Sequence, residues 1–448
     1  MTSTITKTWP KMTSSEEFQF LTDLVMKHST GDHTVVNLHD THGGTTRFAN
    51  NQVVQNVNSR RGLFSVTVAF DRRHGTATTT DFTAGAVREA LKRAERIARI
   101  APDDPEYLPP VGPQQYLSLP TSRPETSHAG PGRRLEYARE AIGQCKMENL
   151  NAAGTVSSAL TIVGLAADTG LRAYEERTDA RFSLTVQAGE ATGWAAAAHR
   201  SIDHLRIQER TLAAINKAKR GADDPRELPP GRYTVVLEPP AVAGLLSWMM
   251  WMLEAKAFYK GTSPYSGKLG TRVIDRRLTL TNQPDHGDLM GYGFTSEGLP
   301  VTASTWIDAG VLTQLQYDRY TAKVHGVESL PTLESPYLSG DRPIGARIDD
   351  VIRTTARGIL VTNFWYIRPV NPSDLTLTGM TRDGTFLIEN GEIVAAVRNF
   401  RFHESPLRVF NQLDAYTTPA EAVTSETGKA LVPAMRLHDF NFSSVTKF

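Results

Sequence analysis

Twelve histidines and a single cysteine bound the metal-ion and nucleophile chemistry open to this sequence. His39 and His42 flank Asp40 in "LHDTHGG", His199 and His204 sit in "HRSIDH", and Asp285, His286 and Asp288 cluster in "PDHGD". A zinc site needs three or four ligands converging tetrahedrally, and none of these short clusters supplies them alone. Each also reads as an ordinary solvated loop. Cys145 reads as a nucleophile, as a ligand, or as a small apolar residue buried on a helix over 133–149. The stretch "GTSPYSGK" (261–268) has five residues between its glycines and Leu269 after its lysine. A phosphate-cradling loop needs a tighter spacing and a Ser or Thr at that place. No G-x-S-x-G elbow for a serine hydrolase is present.

The richest polar constellation is "NFWYIRPVNPSDLTLTGMTRDGTF" (363–386), which combines Trp365, Tyr366 and Arg368 with Arg382 and Asp383. Two readings stand side by side. One is a hairpin with Asp-Gly turn chemistry and aromatic cross-strand pairs. The other is a groove that aligns an extended peptide along a strand edge, anchored by arginines and aromatic rings.

These residues need elements to hold them. Ser14 or Ser15 caps an N-terminal helix with Phe18, Leu21 and Val25 on one face. Strand-like runs follow: "HTVVNLH", "TTRFANNQVVQNV" and "LFSVTVAF". A helix over 83–100 turns Ala90, Leu91, Ala94, Ile97 and Ala98 inward and leaves Arg88, Lys92 and Arg96 in water. The Pro-rich, aperiodic stretch 101–132 reads as a linker or a strapping loop. The pattern then returns. "FSVTVAF" (64–70) is echoed by "FSLTVQA" (182–188), and "DDPEYLPP" (103–110) by "DDPRELPP" (223–230). Two echoes in the same order point to an internal duplication.

After about residue 231 the pattern changes. Short strands with turn signals dominate, as in "WIDAGVL" and "GMTRDGTFLIENGEIVAAV", where Asp383-Gly384 and Asn390-Gly391 predict two hairpins. The expected class is α+β. A duplicated α+β N-terminal domain spans 1–231, with repeats about 33–110 and 153–230. A β-rich C-terminal domain of antiparallel meanders or barrel-like form spans 232–448, with a helix over 241–258.

Composition excludes several function classes. The chain of 448 residues carries a net charge of +1, so nothing global favours nucleic acid or an acidic membrane. A single cysteine excludes an internal disulfide and fits a reducing cytoplasm. The opening residues lack the apolar core of a secretory signal. The apolar run 241–253 spans about 20 Å as a helix, short of a bilayer core of ~30 Å. A cytoplasmic protein without a membrane segment is expected.

Four stretches carry a family resemblance: "RFANNQVVQNVNSRRGLFSVTV" (47–68), "YSGKLGTRVIDRRLTLTNQP" (265–284), "SEGLPVTASTWIDAGVL" (296–312) and "TGMTRDGTFLIENGEIVAAVRNFRF" (378–402). In consistent order over most of the chain, they resemble the TldD/PmbA (TldD/TldE) family, the so-called modulators of DNA gyrase. The resemblance implies a metallopeptidase fold with a duplicated α+β N-terminal region and a β-rich C-terminal domain. In active TldD-type members the helix after the central strand carries H-E-x-x-x-H, and a cysteine late in the chain is a further metal ligand. The matching helix here lies in "LEPPAVAGLLSWMMWMLEAKAF" (237–258). Trp248 and Met249 stand where His-Glu should begin, Leu253 stands at the second His, and no cysteine follows Cys145. Neither an indole nor a thioether replaces imidazole as a zinc ligand, and Met249 cannot take a proton from water.

The resemblance therefore implies a PmbA/TldE-type member with no catalytic residues and no metal of its own. Zinc is expected in a TldD-type partner, and a peptide is expected as substrate. A heterodimer with such a homologue or a homodimer is implied, with no nucleic acid and no membrane. Trp248, Met249, Trp251 and Met252 read either as core or, where exposed, as a Met/Trp surface for a partner. The competing reading is an independently active hydrolase with a relocated site, at His286 with Asp285 and Asp288 or at Asp383 with Arg382.

Overall fold

In the computed structural model, residues 11–222, 224–330, 332–424 and 428–446 are described. The first ten residues of the opening segment and Asp223 of the second acidic-Pro stretch lie outside them. The helix α1 (Ser15–His28) starts at a reciprocal cap: Ser14 accepts from the Glu17 amide while Glu17 reaches back to the Ser14 amide. Six strands follow in one antiparallel sheet: β1 (His33–Ala49), β2 (Gln52–Phe70), β3 (Arg73–Thr79), β4 (Asn151–Ala167), β5 (Arg172–Ala188) and β6 (Ala191–His199). The run "TTRFANNQVVQNV", expected as one strand, is two. Asn50 and Asn51 adopt positive φ and turn the chain between β1 and β2.

The sheet order β3-β2-β1-β4-β5-β6 repeats itself about its centre. Leu38 faces Phe64, which faces Thr79; in the second half Val156 faces Phe182, which faces Ala197. One face is covered by α2 (Ala84–Ile100), α4 (Pro131–Met147) and α5 (Ile207–Gly221), whose small alanine-rich stripes pack on the strands. Ile97, expected inward on α2, is instead 43% exposed, because the buried stripe runs through Val87, Ala90, Leu91, Ala94 and Ala98 beside it. The Pro-rich stretch contains a single short turn of helix, α3 (Pro124–Ser127), and α4 begins inside its expected limits. The stretch is a strap. Tyr116 donates to the Gly298 carbonyl at 2.9 Å, and Arg319 donates to the Pro109 carbonyl at 2.5 Å.

A second architecture starts at β7 (Gly231–Leu237). β7 pairs with the Arg357–Asn371 and Met435–Val445 strands, which are joined through Phe400–Glu404 and Thr376–Glu389 into a closed ring. A further six-stranded sheet runs from Val311–Leu312 to Ala420–Thr424. The expected α+β class with a β-rich, barrel-like second half describes this architecture. It is not wholly a set of antiparallel meanders, because Ile359 pairs parallel with Val235 and Tyr337 parallel with Leu431.

Two local expectations are corrected. The helix expected over 241–258 is two helices, α6 (Pro239–Trp251) and α7 (Ala255–Tyr259). The prolines at its first positions need no hydrogen-bond partner and preset φ, so α6 starts cleanly. It stops because the backbone at 253–255 pairs with Gln316 instead: Gln316 N–H donates to the Leu253 carbonyl at 2.8 Å, and Ala255 N–H to the Gln316 carbonyl at 2.9 Å. The second correction concerns Asp383-Gly384, which forms no hairpin. Val361 faces Thr385 and Asn363 faces Arg382, so two residues oppose Thr362 alone in a β-bulge. Asn390-Gly391 is the turn that was expected.

Candidate functional site at the head of α6 and the Asp383 bulge

α6 runs through the largest core of the molecule, with every residue from Ala241 to Met250 buried. Trp248 is 9% exposed and its Nε1 has no hydrogen-bond partner. Met249 is buried, and its carbonyl accepts from the Tyr265 hydroxyl at 3.2 Å. Leu253 is buried beyond the helix end, where its backbone engages Gln316. The donor set of this helix does not fit zinc. The indole nitrogen carries a hydrogen and no ligating lone pair, the thioether is packed in the core, and the third position is an alkyl group. Trp251 continues the surface outward at 47% exposure, with its ring edge-on to Trp248 at 5.0 Å, and Met252 is half-buried beside the core.

The head of α6 is polar and tied to the first sheet. Glu238, its N-cap residue, accepts from Lys217 Nζ of α5 at 2.7 Å and from the Thr362 hydroxyl at 3.2 Å. Thr362 is the residue opposite the bulge. A Cβ on Gly384 would lie 2.6 Å from its Oγ1, and Gly384 has a φ of 132°, so glycine is required there on both counts.

The bulge separates residues that the sequence places together. Arg382 stacks its guanidinium over Trp365 at 4.5 Å, and Arg368 stacks over Tyr366 at 4.3 Å. The two rings are 49% and 53% exposed, so they form an outward aromatic–guanidinium rank on the hairpin. Asp383, in the left-handed region at φ 58°, turns the other way and is 6% exposed. Its Oδ2 lies 3.8 Å from Arg382 Nε, and its Oδ1 has no partner. Burial raises the Asp383 carboxyl above its ordinary range, against the opposing pull of the Thr192 hydroxyl, Arg382 and Lys217. Arg382 and Asp383 thus serve different surroundings.

The remaining candidates lie elsewhere. His39 and His42 are three apart on β1 and point to opposite faces, because side chains alternate along a strand. His199 and His204 do meet, stacked at 4.5 Å, at the junction of the two halves. Burial first, and then the Lys429 ammonium, lowers His199 to about 4. Lys429 itself donates to the Ala198 carbonyl at 2.6 Å and pairs with Glu421, which also holds Arg210. His286 Nδ1 accepts from the Asp288 amide at 3.2 Å, an arrangement that closes the "PDHGD" turn. Lys268 donates to the Pro264 carbonyl at 2.8 Å inside its own turn. Cys145 is fully buried on α4, and burial pushes its thiol up to about 11, which leaves it unreactive. The residues that sequence reasoning missed are Thr192, Lys217, Glu238 and Thr362. Only Glu238 had a signal, as a charged residue directly before a Pro-Pro helix start.

Comparison with known proteins agrees with this architecture. Residues 230–444 match the profile of the PmbA/TldA metallopeptidase C-terminal domain, and residues 35–98 that of PmbA/TldA metallopeptidase domain 1. The chain is 21% identical over 391 residues to Metalloprotease PmbA of Escherichia coli O157:H7, covering 84% of this chain and 85% of that protein. A Metalloprotease of Methanothermobacter thermautotrophicus is 28% identical over 117 residues, 26% of this chain and 25% of that protein. Among solved structures, TldE from Thermococcus kodakarensis superposes with a TM-score of 0.84 at 20% identity, covering 95% of this chain and 99% of that one. A putative modulator of a DNA gyrase from Thermotoga maritima gives 0.83 at 18% identity, with 95% and 99% covered. Both domain profiles, together covering more than half of the sequence, place this chain in the PmbA/TldD metallopeptidase family.

Proposed function

We propose that this chain is a non-catalytic, PmbA/TldE-like subunit of a TldD/TldE-type zinc metallopeptidase that processes unfolded peptides or peptide leader segments in the cytoplasm. The observation that carries this reading is the chemistry of α6. The positions where an active relative would hold its ligands and general base are filled by Trp248, Met249 and Leu253, all packed in the core. A buried cluster of this kind stabilises the helix and offers neither a lone pair to a metal nor a base to water. In this reading the chain keeps the peptidase fold and shapes the chamber, while a motif-bearing homologue brings zinc.

Two surfaces would serve such a subunit. Trp251, with Met252 behind it, offers an apolar contact to the partner, whether that is a TldD-type homologue or a second copy. The Trp365, Tyr366, Arg368 and Arg382 rank would hold an extended peptide, with the rings stacking on its side chains and the guanidinium groups taking its carbonyls or carboxylates. The test is a cleavage assay on an unfolded peptide. The pure chain should give no zinc-dependent cleavage, and a mixture with a TldD-type homologue should cleave. Zinc-dependent cleavage by the pure chain would sink the proposal.

A further inference from the structure

The duplicated sheet leaves one strand edge open in each half, and the two edges differ in what lies on them. β3 pairs with β2 only over 64–70, and β6 pairs with β5 only over 180–188. The stretches 52–63 and 172–179 therefore have a strand on one side alone. In the second half the strap covers that edge. The Thr178 N–H donates to the Thr121 carbonyl at 2.9 Å, the Thr121 hydroxyl donates to the Glu176 carbonyl at 2.7 Å, and the Arg123 N–H donates to the Thr178 hydroxyl at 3.1 Å. An extended segment thus satisfies the outer main-chain groups of β5. In the first half no main-chain segment among the described residues does so. In the register that matches Phe64 with Phe182, Arg60 stands at the place of Thr178 and Asn58 at that of Glu176. The corresponding N–H and C=O groups turn away from β1 and meet no strand.

The open edge has a definite chemistry. Edge strands are commonly guarded by charge, proline or a covering segment. The stretch 52–63 has no proline, and of its two arginines Arg60 is held by the buried Asp40 at 2.6 Å. From Thr41 to Phe70 the sequence contains no Asp or Glu. Arg61 and Arg47 are exposed, without a carboxylate partner among the described residues, on the sheet face opposite the helices. Arg47 faces Gln55, so the two guanidinium groups are about 20 Å apart along β2. On the helix face the edge leads into a cleft of about 490 Å3 lined by Phe20, Leu21 and Phe82. A Cβ on Gly62 would lie 2.5 Å from the Phe82 ring, so the cleft directly adjoins the strand. An added strand sends alternate side chains to opposite faces. The occupant that fits has carboxylates on one face, toward Arg47 and Arg61, and apolar side chains on the other, toward Phe20 and Phe82.

We propose that the β2 edge over 54–63 binds an extended peptide of alternating acidic and apolar residues as an added strand, with the Arg60 N–H and the Asn58 carbonyl among its main-chain partners. The site is separate from the aromatic–guanidinium rank. The inference goes beyond the subunit reading and does not depend on it, because its readout is binding to the isolated chain.

The experiment is calorimetric titration of the full chain at about pH 7.5 with an acetylated and amidated octapeptide of alternating valine and glutamate. Its counterpart with lysine in place of glutamate is the charge control. Two N-methylated forms, one at every valine nitrogen and one at every glutamate nitrogen, are the backbone controls. The glutamate peptide should bind, and the lysine peptide at least about tenfold more weakly. A strand offers one edge to β2, so one methylated form should lose about tenfold or more while the other keeps its affinity. Arg61→Glu and Arg47→Glu, exposed changes that leave the core intact, should each weaken the glutamate peptide about threefold. The inference is overturned if the glutamate peptide fails to bind at about 1 mM. It is also overturned if the lysine peptide binds equally well, if both methylated forms bind like the parent, or if neither arginine variant weakens binding. Two other occupants would overturn it as well. A second copy would appear by light scattering as a dimer that excludes the peptide, and the chain's own first segment as binding that emerges only after residues 2–10 are removed.

Discussion

Two buried polar atoms without partners mark two neighbouring regions of this molecule, and they differ in what they can do. The Trp248 indole N–H sits midway along α6 in an apolar core, while the Asp383 Oδ1 sits at a bulge beside an open cleft. The regions are linked through Glu238 and Thr362, which join the head of α6 to the residue facing the bulge. An indole has one fixed donor and no titration. A carboxyl changes charge and takes up a cation or a proton. The comparison separates a place filled by apolar bulk from one where a polar group is buried at an energetic cost.

The comparison breaks most visibly at Trp248. Trp248→Ala should destabilise the protein by about 3–5 kcal/mol through lost burial and a residual cavity, read by urea or thermal unfolding. A loss below ~1 kcal/mol would mean that the ring is not core and that α6 has a free face.

Asp383→Asn should act in the opposite sense. Burial raises the carboxyl, so the folded state binds its proton more tightly than the unfolded chain does. Stability from this group is therefore present below the ordinary carboxylate range and is lost as pH rises through the folded value. The variant should gain up to about 1–3 kcal/mol over the parent near neutral pH and nothing in strong acid. A uniform loss of stability at every pH would show that the carboxylate is satisfied rather than stranded. The smallest effect is expected at Trp251. Trp251→Ala removes an exposed ring and one edge-on contact, and should cost about 1 kcal/mol or less.

Much of the frame was legible because its causes are local. The Ser14–Glu17 cap, the Phe64 and Phe182 echo and the Asn390-Gly391 turn each depend on residues close in sequence or on a repeated pattern. Asp383-Gly384 was misread as a hairpin because a bulge and a turn ask for the same backbone, and the cross-strand partner Thr362 decides between them. The end of α6 was misplaced because Gln316, distant in sequence, supplies the competing hydrogen bonds. The surroundings of Asp383 were illegible for the same reason. Thr192 and Lys217 reach it from the other half of the chain. The apolar character of α6, by contrast, was readable from residue type alone, since nothing distant gives an indole or an alkyl group a lone pair.

The most direct test of the central claim is the zinc content of the chain, purified alone without chelator and measured by mass spectrometry after dialysis. The account predicts a value near zero, with zinc appearing only when a motif-bearing homologue is co-purified. One zinc per chain, retained through dialysis, would contradict it and would place the metal at a site other than Trp248, Met249 and Leu253.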